Sequence, residues 1–247
     1  MNKTRQFGSV ALSWLTWLAR HELAVLLSVM VCAGGTWGFV ELAEDVVEGD
    51  THRLDEAILL ALRNPADRSD PLGPAWVEEA VRDVTALGGI PMVTLIILGA
   101  TGYLLLSQRF RTALFITVAV PGGLLVSNLL KTSFERPRPD LVPTEVSVYT
   151  ASFPSGHSMM AAVTYLTLAA LLARIEPEWR LKLYLLLVAA LVTVLVGISR
   201  VYLGIHWPTD VLAGWTAGAA WASLCWLVAR RVPRRSFAFA GKVLRKR

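Results

Sequence analysis

The sequence predicts an all-α integral membrane bundle of six transmembrane helices, with short amphipathic helices on its outer face. Three observations lead there. Of 247 residues, 54% are hydrophobic and 17% charged, against about a quarter charged in a typical soluble domain. The apolar residues gather in long runs, each near the ~20 residues that span a hydrocarbon core as helix. The basic residues cluster in alternate connections, as Lys and Arg do on the cytoplasmic side of membrane proteins.

The runs lie at about 23–40, 90–106, 113–130, 157–173, 183–198 and 211–229. By position, the first also resembles a secretory signal peptide. Its charged leader is long, however, and no small-x-small cleavage site follows. Val31 before Cys32 also argues against lipoprotein processing, so the run reads as an uncleaved anchor. Lys3, Arg5 and Arg20 precede the first run; Arg109 and Arg111 join the second to the third. Arg174, Arg180 and Lys182 join the fourth to the fifth, and Arg230, Arg231, Arg234, Arg235, Lys242, Arg245, Lys246 and Arg247 follow the sixth. Six alternating spans bring all four segments to one side, the cytoplasm. The net charge of +5 and pI of about 9.5 therefore reflect topology and anionic lipid headgroups, not nucleic acid. The pattern predicts a multi-pass protein of a bacterial plasma membrane with both termini cytoplasmic. A single domain covers 1–230 and a basic cytoplasmic tail 231–247.

The outer side then holds 41–89, 131–156 and 199–210. The first of these is acidic and long enough for structure of its own. Leu54, Ile58 and Leu62 recur at helical spacing. Pro74 followed by Glu78 and Glu79 reads as a helix start, with Val77, Val81 and Val84 on one face. Two short amphipathic helices are expected, either packed over the bundle or guiding lipid toward a site. Gly214, Ala217 and Gly218 predict close helix packing in the last span, with a contact between copies as a second reading. Cys32 and Cys225 lie in apolar runs and read as reduced, buried residues. The oligomeric state is not legible.

Three polar clusters interrupt the apolar chain, all on the outer side. They are Lys131 through Pro139, Pro154-Ser155-Gly156-His157, and Ser199-Arg200 through His206 to Asp210. Lys131, Arg138 and Arg200 bring three cations to the mouths of the third and fifth spans, and such a group demands an anion. The Arg fork suits phosphate oxygens. Ser155 and Gly156 precede a helix whose N-terminal N–H groups are a phosphate site. Asp210, four residues after His206, can hold the Nδ1 proton of a nearby imidazole and leave Nε2 free to attack. A second histidine can protonate the leaving group. The cations would stabilise the charge that Mg²⁺ stabilises elsewhere. Spacing alone leaves open which histidine attacks.

Each residue also has a plainer reading. Ser155 fits an N-cap, Asp210 a first-turn carboxylate, and Lys131 and Arg200 interfacial anchors. His157, His206 and Asp210 also fit a two-histidine, one-carboxylate metal triad, but three surrounding cations would repel a divalent ion. No metal and no cofactor is expected. Arg136 and Glu135 fall outside the repeated positions, and either a local ion pair or a substrate contact suits them.

The three clusters together resemble the signature of the type 2 phosphatidic acid phosphatase family: K-x(6)-R-P, then P-S-G-H, then S-R-x(5)-H-x(3)-D. Every element is present, in order. The resemblance implies a lipid phosphate phosphatase. It implies His206 as the nucleophile that forms a phosphohistidine, Asp210 as its activator and His157 as general acid. Lys131, Arg138, Ser155, Gly156 and Arg200 would bind phosphate. Expected substrates are undecaprenyl pyrophosphate, phosphatidylglycerol phosphate or phosphatidic acid, met at the outer membrane face. The same residues would serve a lipid phosphotransferase. A non-enzymatic lipid-phosphate binder or transporter would need the cations alone. Haloperoxidases of the same kinship share the pocket, but six spans favour a lipid.

Overall fold

A computed structural model describes residues 3–140 and 150–231, with side chains from residue 22 onward. The basic tail beyond Arg231, most of the 140–153 loop, and the side chains of Lys3, Arg5 and Arg20 lie outside the described residues.

Helix α1 (Lys3–Glu48) continues past the predicted run on both sides. Its membrane-length apolar part is Glu22–Glu48. Hydropathy marks where a helix can sit in lipid, not where its hydrogen bonds stop. The stop comes at Gly49, whose φ of 86° suits glycine and lets its N–H close on Asp45 O at 3.0 Å. Helices α2 (His52–Ala61) and α3 (Ala75–Ala86) are the two expected short helices. Between them lies an antiparallel hairpin, β1 (Arg63–Asn64) and β2 (Asp67–Pro71), which the sequence pattern did not announce. Buried Arg63 pins it to the bundle by donating to Tyr202 O at 2.7 Å, and the Tyr202 hydroxyl donates to Leu72 O at 2.9 Å.

The periodicity of α2 leaves open which face is buried, and the structure decides it. Leu54 is 60% exposed, whereas Asp55 and Leu59 are 0% exposed. The helix is rotated because the Asp55 carboxylate has partners below it, described in the next subsection. Helix α3 keeps Val77, Val81 and Val84 half-buried, as their shared face predicts, and packs against α8 (Trp179–Tyr202).

Helix α4 (Ile90–Leu106) coincides with the second predicted span. It meets α3 at a 49° bend over Leu87-Gly88-Gly89. A Cβ on Gly88 would lie 2.5 Å from Val196 Cγ1 and 2.8 Å from His157 O, so only glycine permits this approach. Helix α5 (Phe110–Phe134) carries Lys131 in its last turn. It ends where Glu135 turns left-handed (φ 43°) and Arg136 precedes Pro137, a position that disfavours helix. The fourth span is α6 (Gly156–Ala161), a π-helical turn (Ala162–Leu166) and α7 (Thr167–Ile175). Helices α8 and α9 (Pro208–Ala229) complete the bundle. Among the described residues, five helices are long and apolar enough to cross a membrane, and α3 with α4 makes a sixth if the bent pair counts as one.

Packing is inverted relative to a soluble protein. Small residues fill much of the interior (Ala119, Ala161, Ala162, Ala213, Ala220, Ala222), while Leu95, Leu98, Leu114, Leu125, Leu187 and Leu191 face outward. Lipid solvates leucine, so close backbone approach is what holds such helices together. Gly214 and Gly218 meet Ser155 O and Met159 O, at 2.7 and 2.8 Å from an added Cβ. That face of α9 is therefore used within the chain, against α6, not between copies. Gly197 on α8 receives the Trp215 ring, which is fixed by its N–H bond to Thr193 O at 3.0 Å.

A Cβ at position 197 would stand 2.2 Å from the Trp215 ring. Gly197→Ala should cost about 1–3 kcal/mol and lower the thermal unfolding temperature in detergent. Gly99→Ala, with nothing within 4 Å, should leave it in place. Equal midpoints for the two variants would show that the Gly197 contact is not limiting.

Candidate active site

The end of α5, the start of α6, the end of α8 and the start of α9 converge at one end of the bundle. There α5, α6, α8 and the connection into α9, with the hairpin, α3 and the start of α4, line a cavity of about 1180 Å³. Lys131, Arg138, Gly156, His157, Arg200 and His206 all reach its surface. Asp210 and Ser155 do not line it; both are 0% exposed.

His206 is held from both ring nitrogens. Its Nδ1 lies 3.3 Å from Asp210 Oδ2, and its Nε2 lies 3.1 Å from Arg138 Nη1. A carboxylate accepts and a guanidinium only donates. Both partners therefore select the same tautomer, with the proton on Nδ1 and the lone pair on Nε2 at the cavity. Arg138 is itself fixed by donating to Ile205 O at 2.9 Å and to Thr150 O at 3.0 Å. The His206 pKa is lowered to about 3, first by burial and also by Arg200 and Arg138, against the raising effect of Asp210. The imidazole is neutral at ordinary pH, as a nucleophile must be.

Asp210 is the third residue of α9 and has every oxygen occupied. Oδ2 accepts from the Trp207 N–H at 2.9 Å, from the Ser152 hydroxyl and from His206. Oδ1 accepts from Arg136 Nη1 at 2.6 Å. The bond back to the Trp207 N–H is the carboxylate half of a capping box. Arg136 is thus neither paired with Glu135 nor turned toward the cavity. Its other nitrogen donates to Asp55 Oδ2 at 2.8 Å, and its guanidinium lies 5.6 Å from the centre of the Trp207 indole. Asp55 in turn accepts from Thr209 N at 3.0 Å and from its hydroxyl at 2.6 Å.

Ser155 caps α6. Its own N–H goes to Asp210 O at 2.9 Å, and its hydroxyl accepts from Ser158 Oγ at 2.9 Å. The expectation that Ser155 offers its N–H to phosphate is corrected: that donor is spent inside the protein. Gly156 and His157 reach the cavity with first-turn N–H groups that lack intrahelical acceptors. A Cβ on Gly156 would sit 3.3 Å from Lys131 Cε, so glycine lets the lysine stem lie close. Lys131 Nζ donates to Ala151 O at 2.8 Å. Arg200 is 5% exposed and donates from Nη1 to Thr85 Oγ1 at 3.1 Å. Its Nε is buried with no partner among the described residues, which suits an anion as the missing acceptor. Ile90, Leu124 and Met160 give the cavity an apolar wall. Asn64, Asp70 and Glu78 show that the 41–89 segment builds part of its rim.

All eight sequence-derived residues meet here. Those not anticipated are Asp55, Ser152, Thr85 and Thr209, together with the role of Arg136. The Arg-Pro-Arg-Pro run carried a usable signal for Arg136. It places a second guanidinium two residues from Arg138, close enough in the chain to reach the same histidine–carboxylate pair. Asp55 carried none, since its helix reads equally well with the carboxylate in water.

Similarity to known proteins adds to this geometry. The model of the PAP2 superfamily matches residues 110–234. The chain is 35% identical over 188 residues to phosphatidylglycerophosphatase B of Bacillus subtilis, covering 73% of this chain and 85% of that one. It is 42% identical over 72 residues to an undecaprenyl-diphosphatase of Sulfolobus acidocaldarius, covering 29% of this chain and 30% of the other. The crystal structure of the transmembrane PAP2-type phosphatidylglycerolphosphate phosphatase from Bacillus subtilis superposes with a TM-score of 0.73 at 29% identity. That match covers 83% of this chain and 98% of that one.

A neutral, buried His206 has a consequence for stability. Its pKa is about 3 when folded and about 6.5 when unfolded. As pH falls between these values, the unfolded chain takes a proton that the folded chain refuses, and stability is lost. The thermal midpoint in detergent should fall more for the wild type than for His206→Gln between pH 7.5 and 4.5. Equal falls would show that His206 is not held neutral.

Proposed function

The chain belongs to the PAP2 superfamily, and from that membership we propose that it dephosphorylates phosphatidylglycerol phosphate through a covalent phosphohistidine on His206. It is a multi-pass membrane phosphatase of lipid phosphates. The choice of lipid is supported by the relative from Bacillus subtilis, which matches along most of its length. The choice of nucleophile rests on one observation: Asp210 and Arg138 hold His206 so that a neutral Nε2 faces a cavity lined by three cations.

In the mechanism we infer, the terminal phosphate sits among Lys131, Arg138, Arg200 and the N–H groups of Gly156 and His157. Opposite charge and N–H dipoles draw it there. Once Arg138 turns its N–H from His206 Nε2 to the phosphate, the freed Nε2 lone pair attacks phosphorus in line with the ester oxygen. The developing imidazolium is supported through Nδ1–H by Asp210, and the cations stabilise the charge on the equatorial oxygens. His157 gives a proton to the leaving alkoxide, then takes one from the water that releases phosphate. Ser155 acts as helix cap. The apolar wall of Ile90, Leu124 and Met160 is suited to the lipid beside the reacting phosphate. Arg109, Arg111, Arg174, Arg180 and Lys182 occupy the connections remote from the site. By the positive-inside bias, the site would open to the periplasm and both termini would lie in the cytoplasm.

Purified protein in detergent with EDTA should release phosphate from phosphatidylglycerol phosphate faster than from phosphatidic acid or undecaprenyl pyrophosphate. His206→Ala should lower turnover at least about a thousandfold. A different ranking would reassign the lipid. No release from any of them by folded, lipid-binding protein would leave a phosphotransferase or a binder.

A further inference from the structure

We propose that Asp55 and Arg136 are positioning residues for phosphoryl transfer, acting on His206 through Asp210. The proposal rests on the reading of His206 as nucleophile. Asp55 comes from α2, in the acidic outer segment, and is 0% exposed; the Arg136 side chain is 11% exposed. Neither lines the cavity, so neither is placed to touch phosphate.

Asp55 reaches Asp210 by two routes. The first is backbone. Oδ1 takes the Thr209 N–H at 3.0 Å and Oδ2 the Thr209 hydroxyl at 2.6 Å. Thr209 is the second residue of α9 and Asp210 the third, so this fixes the turn that carries Asp210. The second route is charge. The Arg136 fork spans two carboxylates, Nη2 to Asp55 at 2.8 Å and Nη1 to Asp210 Oδ1 at 2.6 Å. Nη1 also donates to Thr209 Oγ1 at 2.8 Å. A planar fork cannot serve both carboxylates unless both are in place.

Asp210 Oδ1 is thus held by Arg136, and Oδ2 is left for Trp207 N–H, Ser152 and His206. Loss of Asp55 frees one arm of Arg136 and unlocks the first turn of α9. His206 then loses its fixed aim, while Lys131, Arg138 and Arg200 stay where they are. Chemistry should fail before phosphate binding does, because misplacement of a reacting group by about 1 Å can cost about a hundredfold.

The test compares wild type, His206→Ala, Asp55→Asn, Arg136→Gln and the double variant in detergent. It reads kcat, KM for phosphatidylglycerol phosphate, the inhibition constant of inorganic phosphate, and thermal unfolding. Each single variant should lower kcat about ten- to a hundredfold, with KM and the phosphate constant within about threefold of wild type. The double variant should be no worse than the poorer single within about threefold, as expected of residues that act as a unit. Unchanged kcat in an active enzyme overturns this inference alone. So does a parallel loss of kcat and phosphate affinity, which would mark a merely structural contact. If Asp55→Asn is not recovered folded, Arg136→Gln alone decides between these outcomes. A wild type that releases no phosphate, or an active His206→Ala, overturns the functional reading and this inference with it.

Discussion

A carboxylate with no exposure to water is the constraint on which the rest of this site depends. Asp210 is 0% exposed, and burying an ionised group is tolerable only when it is paired and hydrogen-bonded. Its partners come from different parts of the chain: Arg136 beyond α5, Ser152 before α6, the Trp207 N–H at the cap of α9, and His206 on the α8–α9 connection. Meeting that one requirement draws two connecting segments together, the one between α5 and α6 and the one between α8 and α9. The same bonds that neutralise the carboxylate orient the imidazole, so holding the site together and aiming His206 are one arrangement.

Glycine makes the convergence sterically possible. Lipid-facing leucines offer little drive for helices to associate, and contact depends on how closely backbones approach. Gly214 admits Ser155 O and Gly218 admits Met159 O, which seats the start of α6 on α9. Gly88 admits the His157 carbonyl at the bend between α3 and α4. Larger residues at these points would separate His157 from His206 by moving whole helices. Gly214 and Gly218, which do not line the cavity, therefore bear on the chemistry through distance alone.

Charge separates the two ends of the molecule. Cations at the cavity have anionic or carbonyl partners, or, as with Arg200 Nε, a buried donor without a protein acceptor. Basic residues in the remote connections match the positive-inside bias. The acidic 41–89 segment closes over the site end, contributing a rim through Asn64, Asp70 and Glu78 and a buried carboxylate through Asp55. It is part of the cavity wall rather than a cover laid over it.

The spans, their order and the eight residues of the motifs were legible in the sequence, because membrane length and motif spacing are local properties of the chain. Lys131, Arg138, Gly156, His157, Arg200 and His206 line one cavity, and Ser155 and Asp210 are buried beside it. Boundaries were less legible: α1 runs on to Glu48 through acidic residues, since a helix leaves the apolar phase without ending. Only the tertiary structure decided that Asp55 turns inward and Leu54 outward, that Arg136 bridges two carboxylates, and that Ser155 spends its N–H on Asp210. Asp55 and Thr209 are 154 positions apart. Periodicity reports which residues share a face, but the face a short helix buries is set by partners elsewhere in the chain. A buried carboxylate with good partners outweighs an exposed leucine.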